Sequence, residues 1–479
     1  MPSITGDLRH STTAAQPTSE KPSQQDAHRQ NLSHEVATPE STAAVLPRII
    51  EPEQKWTAWL CVAGSFLYLA PSYGFMQSVG TIQAYLSLNQ LSEYSDRDIG
   101  WIPGMYTFLA LFLGLQTGPL VDVYGPRVIG PLALLTTVPM FFLLGECKTY
   151  WQFMLCLGVL GGIGAALSAY LAIAIVGKLF NRFRGLAMGI ALAGSSSGGI
   201  IFPLMLRSTL PSWGYQWSLR TMGFVVAGMM VVGMLCMLPF DGLMRGPAMG
   251  GVQEPPSRPV DESGEVPQEA PQPERSASIN FNAFRSPPFS FITGCLFLLE
   301  FIMFGISGIL PTIVHSSGFP ESAGYIMIAI LNGASCFGRI IPGLMGDRLG
   351  HFNMLIIMAI VTFVGTAATM LPFGSTHIEA LYVFSGLWGF GSGSFLSLTP
   401  VCMGKTCEAK DYGRYYGTMN FIVSFGLLIT VPIGGQMLNA MGATALSGLY
   451  LAILCLGGVS AFASRALLVG SWFDLRAII

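Results

Sequence analysis

Gly118-Pro-Leu-Val-Asp122-Val-Tyr-Gly125-Pro-Arg127 and Gly343-Leu-Met-Gly-Asp347-Arg348-Leu-Gly350-His-Phe are two copies of one signal. Their Gly, Asp and Gly are offset by a constant 225 residues (118 to 343, 122 to 347, 125 to 350). A matched signal at the same place in two halves marks a parallel internal repeat. The first glycine of each copy lets helices approach closely, and the last makes a tight turn. The Asp between them ends one helix beside the start of the next, where a nearby Arg can pair with it. Asp122, Arg127, Asp347 and Arg348 are therefore candidate gating residues, forming a charged latch in one state and releasing it in another. The plainer alternative is a turn with a satisfied ion pair.

The rest of the chain agrees with a membrane setting. Of 479 residues, 51% are hydrophobic and 10% are charged, against roughly 25% charged in an ordinary soluble domain. This excludes a large soluble enzyme, and it excludes disorder as the global state. A net charge of −2 offers no basic face for nucleic acid. The charges that exist are concentrated in 1–55 and 241–286.

Twelve apolar stretches are each long enough to cross a bilayer, which takes about 20 residues. They cover 56–80, 99–121, 128–147, 151–177, 185–206, 220–240, 288–313, 322–345, 352–372, 378–402, 414–438 and 445–468. The expected fold is an all-α membrane protein of twelve transmembrane helices in two six-helix pseudo-repeats. A barrel is not expected, because the runs are continuous rather than alternating. The domain reading is a disordered tail over 1–55, a first bundle over 56–240 and a linker over 241–286. A second bundle follows over 287–470, then a short tail over 471–479.

Lys and Arg set the orientation. The even-numbered connections carry Arg127, Lys178, Arg182, Arg184, Arg348, Lys405, Lys410 and Arg414. The odd-numbered ones carry Arg97, Lys148 and Arg207. Both termini and the linker are therefore expected in the cytoplasm, which would leave the sequon at Asn31 unglycosylated. A multi-pass location in the cell membrane is expected, with an internal membrane as the alternative. Nine cysteines are scattered mostly through apolar runs, with no disulfide or zinc spacing.

The repeated loop resembles the signature of the major facilitator superfamily, over nearly everything from Trp56 to Leu468. Val123 stands where that signature usually has a basic residue. The run Arg184-Gly-Leu-Ala-Met-Gly-Ile-Ala-Leu-Ala-Gly-Ser-Ser-Ser-Gly-Gly199, with Trp217-Ser-Leu-Arg220 and Gly338-Arg339, is similar to the fungal branch of the monocarboxylate porter family. That resemblance implies movement of small organic acids or other metabolites, often with protons, and in several members export of biosynthetic products.

A charge at membrane depth costs at least ~2.5–3.5 kcal/mol on insertion scales, so each one calls for a reason. Arg339, mid-way along the eighth stretch, carries a fork that matches a carboxylate. It resembles the substrate-binding Arg of the monocarboxylate porters. The alternatives are a structural partner for another helix, or a snorkelling side chain. In that family a proton-binding Asp tends to stand four residues earlier and a Lys in the first helix. Here Ser335 and Gln77 occupy those places. They become candidate substrate contacts, and simple proton–lactate symport loses its usual groups. Glu300, in the seventh stretch, is the candidate proton-coupling residue; otherwise it is a solvated or ion-paired carboxylate. Arg220 is an anion attractor or an interfacial anchor.

Small-residue pairs such as Gly185 and Gly189 allow close helix crossing. Pro71, Pro311, Pro342 and Pro432 can bend helices around a cavity. Gly194-Ser195-Ser196-Ser197-Gly198 matches a hydrolase elbow, but it lies in a helix-length apolar run without the strand that motif needs. The six His form no metal cluster and no P-loop is present, so no cofactor, metal or catalytic residue is expected. The reading is a secondary active transporter of a small organic acid or acid-bearing metabolite, working by alternating access. Proton coupling and export of a biosynthetic product are the two finer features the resemblance adds to this reading. The alternative is a metabolite receptor with a transporter fold that moves nothing.

Overall fold

The computed structural model describes residues 52–94, 96–244, 281–374, 376–472 and 474. The expected tail over 1–55, linker over 241–286 and end segment over 471–479 lie largely outside these, as does Asn31. The described residues are helical, with no strand among them. In a bilayer that is one of two solutions that satisfy every backbone N–H and C=O, the other being a closed barrel.

Eight helices are long and apolar enough, by length and composition, to cross a membrane. One of them, Arg184–Met244, doubles back inside at Gly214. Three further segments complete twelve rods. The rods are α1 (Trp56–Leu69, continued by Ala70–Gly74 and Val79–Leu88), α2 (Asp96–Phe112, continued through 114–124), α3 (126–144) and α4 (Tyr150–Leu179). Next come α5 (184–213), α6 (215–237), α7 (Pro287–Ser316), α8 (Glu321–Leu349) and α9 (His351–Phe373). The last are α10 (Ile378–Met403), α11 (412–441) and α12 (443–469).

The corners between rods are set by glycine. Gly125 turns α2 into α3 at φ 65° and Gly350 turns α8 into α9 at φ 92°. A left-handed backbone costs other residues roughly 1–2 kcal/mol, so the two repeat-loop glycines are the pieces that reverse the chain. Gly214 and Gly442 do the same between α5 and α6 and between α11 and α12.

Two seams join the first six rods to the last six. In one, α2 presents Gly114, Gly118 and Asp122 to Gly413 and Gly417 of α11. In the other, α8 presents Arg339, Gly343 and Asp347 to Gly185 and Gly189 of α5. A Cβ at Gly118 would run into Gly413 O, and one at Gly417 into Gly114 O. A Cβ at Gly343 would meet Gly185 O, and one at Gly189 would meet Arg339 O. Spacing of four puts each set on one helix face. The same backbone-to-backbone contact is thus built twice, once per repeat. The seams differ at one place: where the first has Gly114, the second has Arg339.

Candidate functional site

A pocket lies between the two halves. Its walls are Tyr73, Met76 and Gln77 from α1, Ser195 from α5, and Glu300 and Phe304 from α7, with Leu111 and Leu396 behind them. Its volume of about 10 Å³ is the space one water molecule needs, so the site is nearly shut. Tyr73 and Gln77 are placed by an irregularity in α1: the turn Ala70–Gly74, which contains Pro71, is a π-helix. Such turns often mark functional positions.

Glu300 is buried at 5% exposure, and its Oε2 has no hydrogen-bond partner among the described residues. Tyr73, Tyr170 and Tyr416 stand close enough to feel its charge. The Tyr170 and Tyr416 rings are 5.4 Å apart, and Tyr170 Oη donates to Leu111 O at 3.1 Å. A lone carboxyl beside three phenols, drawn from both halves, is a polar island in an apolar interior. An unpaired buried acceptor is costly, and a bound proton or a ligand donor would satisfy it.

Arg339 sits one layer behind this pocket, at 1% exposure. Its Nη1 donates to Leu192 O and Ser195 Oγ of α5, and its Nε has no partner among the described residues. Ser335 reaches the same helix, its hydroxyl 3.3 Å from that of Ser196. Of the four residues read as substrate or proton contacts, Gln77 and Glu300 thus share the pocket wall. Arg339 and Ser335 lie in the adjoining seam between α8 and α5, joined to the pocket through Ser195.

The four residues read as a gate divide in two. The carboxylate of Asp122 accepts the backbone N–H groups of Gly413 at 3.1 Å and Arg414 at 2.7 Å, at the start of α11. Asp347 accepts those of Gly185 at 2.7 Å and Leu186 at 2.8 Å, at the start of α5. A helix start carries unpaired N–H groups and a positive dipole end, so each Asp of one half caps a helix of the other. The Arg pairing expected inside each loop is not what forms. Arg127 pairs with Asp241 at 2.6 Å, because the Gly125 corner carries it away from Asp122. Arg348 lies on the exposed surface. The partners of the two Asp side chains are Lys178, at 2.6 Å from Asp122, and His351, at 2.9 Å from Asp347.

Glu53 escaped the sequence reading, and Arg184 was read there only as an orientation charge and the start of a motif. Glu53 is buried ahead of α1, and its Oε2 accepts the N–H groups of Asn181, Arg182 and Phe183 at 2.9, 2.9 and 3.5 Å. It holds the connection that feeds α5 into the Asp347 contact. Arg184 closes the same end, donating to Gly177 O at 2.6 Å and Phe180 O at 2.8 Å. Its guanidinium lies 5.8 Å from the centre of the Tyr412 ring. Lone residues in a loop carry no periodic signal, so only contact reveals them.

A repeated pair of Asp-capped seams flanks the central pocket, and comparison with known proteins gives the family. The Major Facilitator Superfamily profile matches residues 57–431. The chain belongs to the major facilitator superfamily. It is therefore a multi-pass membrane protein of a family of small-molecule transporters.

Several superfamily members of similar sequence are fungal proteins. The aspyridones efflux protein apdF of Emericella nidulans is 31% identical over 420 residues, 86% of this chain and 79% of that one. The agnestins efflux protein AgnL12 of Paecilomyces divaricatus is 30% identical over 444 residues, 92% of each chain. The riboflavin transporter MCH5 of Saccharomyces cerevisiae is 29% identical over 401 residues, 81% and 73% of the two chains. Among solved structures, the human organic anion transporter MFSD10 superposes with a TM-score of 0.57 at 14% identity. That match covers 85% of this chain and 98% of MFSD10, and shows a shared fold.

Proposed function

We propose that this protein is a secondary active transporter of the monocarboxylate-porter type, exporting a small organic acid or acid-bearing metabolite by alternating access. The observation that carries the reading is the pocket itself. Gln77 from one half and Glu300 from the other line one nearly closed space, while Asp122 and Asp347 fasten the two halves at one end. Opening that end must break the caps, and opening the other must part the pocket walls. The efflux roles of similar fungal proteins support export.

In this reading Glu300 carries the coupling proton. Arg339 binds the acid group, through exchange of partners. Its present acceptors, Leu192 O and Ser195 Oγ, are neutral, and a substrate carboxylate is a charge-assisted and roughly twice stronger one. A substrate acid reaching past Ser195 would draw the guanidinium off α5 and loosen the seam beside the gate. Substrate recognition and gate release would then be one event. Gln77 and Ser335 complete the polar contacts. Asp122 and Asp347 act as the latches, with Arg127 and Arg348 on the flanking surface. The Lys and Arg bias supports a cytoplasmic position for the latched end and both termini, and the reading takes the cell membrane as the location.

The test is proton movement in proteoliposomes holding the full chain, challenged with organic acids and neutral metabolites, then repeated with Glu300→Gln and Arg339→Ala. Acid-dependent proton flux lost in both variants is the expected result. Substrate movement without proton flux would remove the role of Glu300. Binding without movement of any compound would make the protein a receptor.

A further inference from the structure

Cys147 and Cys156 meet at the turn between α3 and α4. Cys147 stands in the 145–149 connection and is partly exposed; Cys156 is buried inside α4. Each sulfur is 3.3 Å from a backbone carbonyl of α3, Cys147 Sγ from Leu143 O and Cys156 Sγ from Met140 O. Those two carbonyls are about one turn apart on one helix, so both thiols are held against the same edge. Each thiol is near enough to the other to shift its titration. A disulfide needs two β-carbons roughly 3.5–4.5 Å apart, which a small adjustment of the 145–149 connection can give to two thiols held on one helix edge. Neither thiol takes part in the pocket or the gate.

We propose that Cys147 and Cys156 form a reversible disulfide, a thiol-redox site at the outer end of the first half. The outer placement rests on the orientation given under the proposed function. That side of a cell membrane is oxidising, where disulfides form and persist.

The two thiols differ in the way an attacking and a resolving cysteine must. Cys147 is reachable from the loop. Contact with Cys156 holds its thiol below the usual range, against burial and the neighbouring Glu146 carboxylate. A thiolate is the attacking form. Cys147 attacks a low-molecular-weight disulfide such as oxidised glutathione. The external S–S bond breaks, a mixed disulfide forms on Cys147, and one glutathione leaves and takes a proton. Cys156 then loses its proton and attacks Cys147 Sγ, and the second glutathione leaves. Two cysteine thiols are oxidised, one external disulfide is reduced to two thiols, and two protons pass with the two electrons. Both cysteines belong to one half, so the bond staples the α3–α4 turn and leaves the seams between halves free.

Trypsin makes the test direct. Cleavage at Arg127, Lys148 and Lys178 yields peptides 128–148 and 149–178, each holding one of the two cysteines and no other. Intact cells making the full chain are treated with oxidised glutathione, blocked with a thiol reagent, and their membranes digested for mass spectrometry. The expected product is a linked pair two hydrogens lighter than the sum, abolished by dithiothreitol and absent from Cys147→Ser and Cys156→Ser. A membrane-impermeant maleimide should label Cys147 on untreated intact cells, and lose most of that label after oxidation. Two separately alkylated peptides after oxidation, with Cys147 still labelled from outside, would overturn the redox site and leave the orientation standing. Labelling of Cys147 only after permeabilisation would overturn the orientation, and this inference with it.

Discussion

Asp347 and Gly185 meet across the two halves: the Asp347 carboxylate accepts the Gly185 N–H at 2.7 Å, 162 residues away along the chain. The same carboxylate takes the next N–H, of Leu186, at 2.8 Å. A hydrogen bond to a charged group is worth about 1.5–3 kcal/mol. Asp347→Ala should therefore move the population toward the state open at this end by roughly 10- to 100-fold. Spin labels at Arg182→Cys and Lys410→Cys would read it as a longer distance peak. An unchanged distance distribution would remove Asp347 from the gate.

Lys178 and Asp122 form a buried ion pair, with side chains 7% and 10% exposed. Removing one member of such a pair leaves a buried charge unpaired, at a cost of about 3–5 kcal/mol. Lys178→Met should lower the melting temperature in detergent sharply, and adding Asp122→Asn should restore part of it. A double variant as unstable as the sum of the two singles would show that the pair is not coupled.

Gly343 has no room for a methyl group, since its Cβ would run into Gly185 O. Overpacking a tight contact costs roughly 1–3 kcal/mol. That cost falls only on the state in which the seam is closed. Gly343→Ala should raise the labelling rate of a thiol placed at Gln77 from the Asp347 side, with the fold retained. Equal labelling of the parent and the alanine variant would mean that α8 and α5 do not separate there.

Glu53 accepts three consecutive N–H groups. Losing a buried acceptor strands its donors, at about 1–3 kcal/mol. Glu53→Ala should lower thermal stability and slow transport, and Glu53→Gln should do less of both, since it keeps one acceptor oxygen. Unchanged melting and unchanged transport in Glu53→Ala would leave the segment before α1 without a role.

The gate was half legible in the sequence. The repeated Gly–Asp–Gly marked where each latch begins, because a turn glycine and a charge between apolar runs stand out locally. Its other half did not. Gly413 and Arg414 look like any loop following a helix, and Lys178 looks like an orientation charge. They become partners of Asp122 only when α11 and α4 arrive beside it. Arg127 shows the converse. Adjacency in sequence suggested a pairing with Asp122, and the corner at Gly125 sends it to Asp241 instead. Arg339 was legible as a charge needing a partner, but the partner lies on α5 and no local pattern names it. The nine cysteines read as scattered, and contact alone singles out Cys147 and Cys156.

Hydrophobic length, charge bias and internal repetition were enough to establish twelve helices in two halves, because those depend on the burial of each segment in lipid, one segment at a time. Which residues cap which helix ends, which carboxylate faces the pocket and which thiols share a helix edge were decided by tertiary structure alone. Those relations join residues as far apart as Asp122 and Arg414, 292 positions along the chain. A hydrogen bond depends on angstroms in space, which sequence distance does not record.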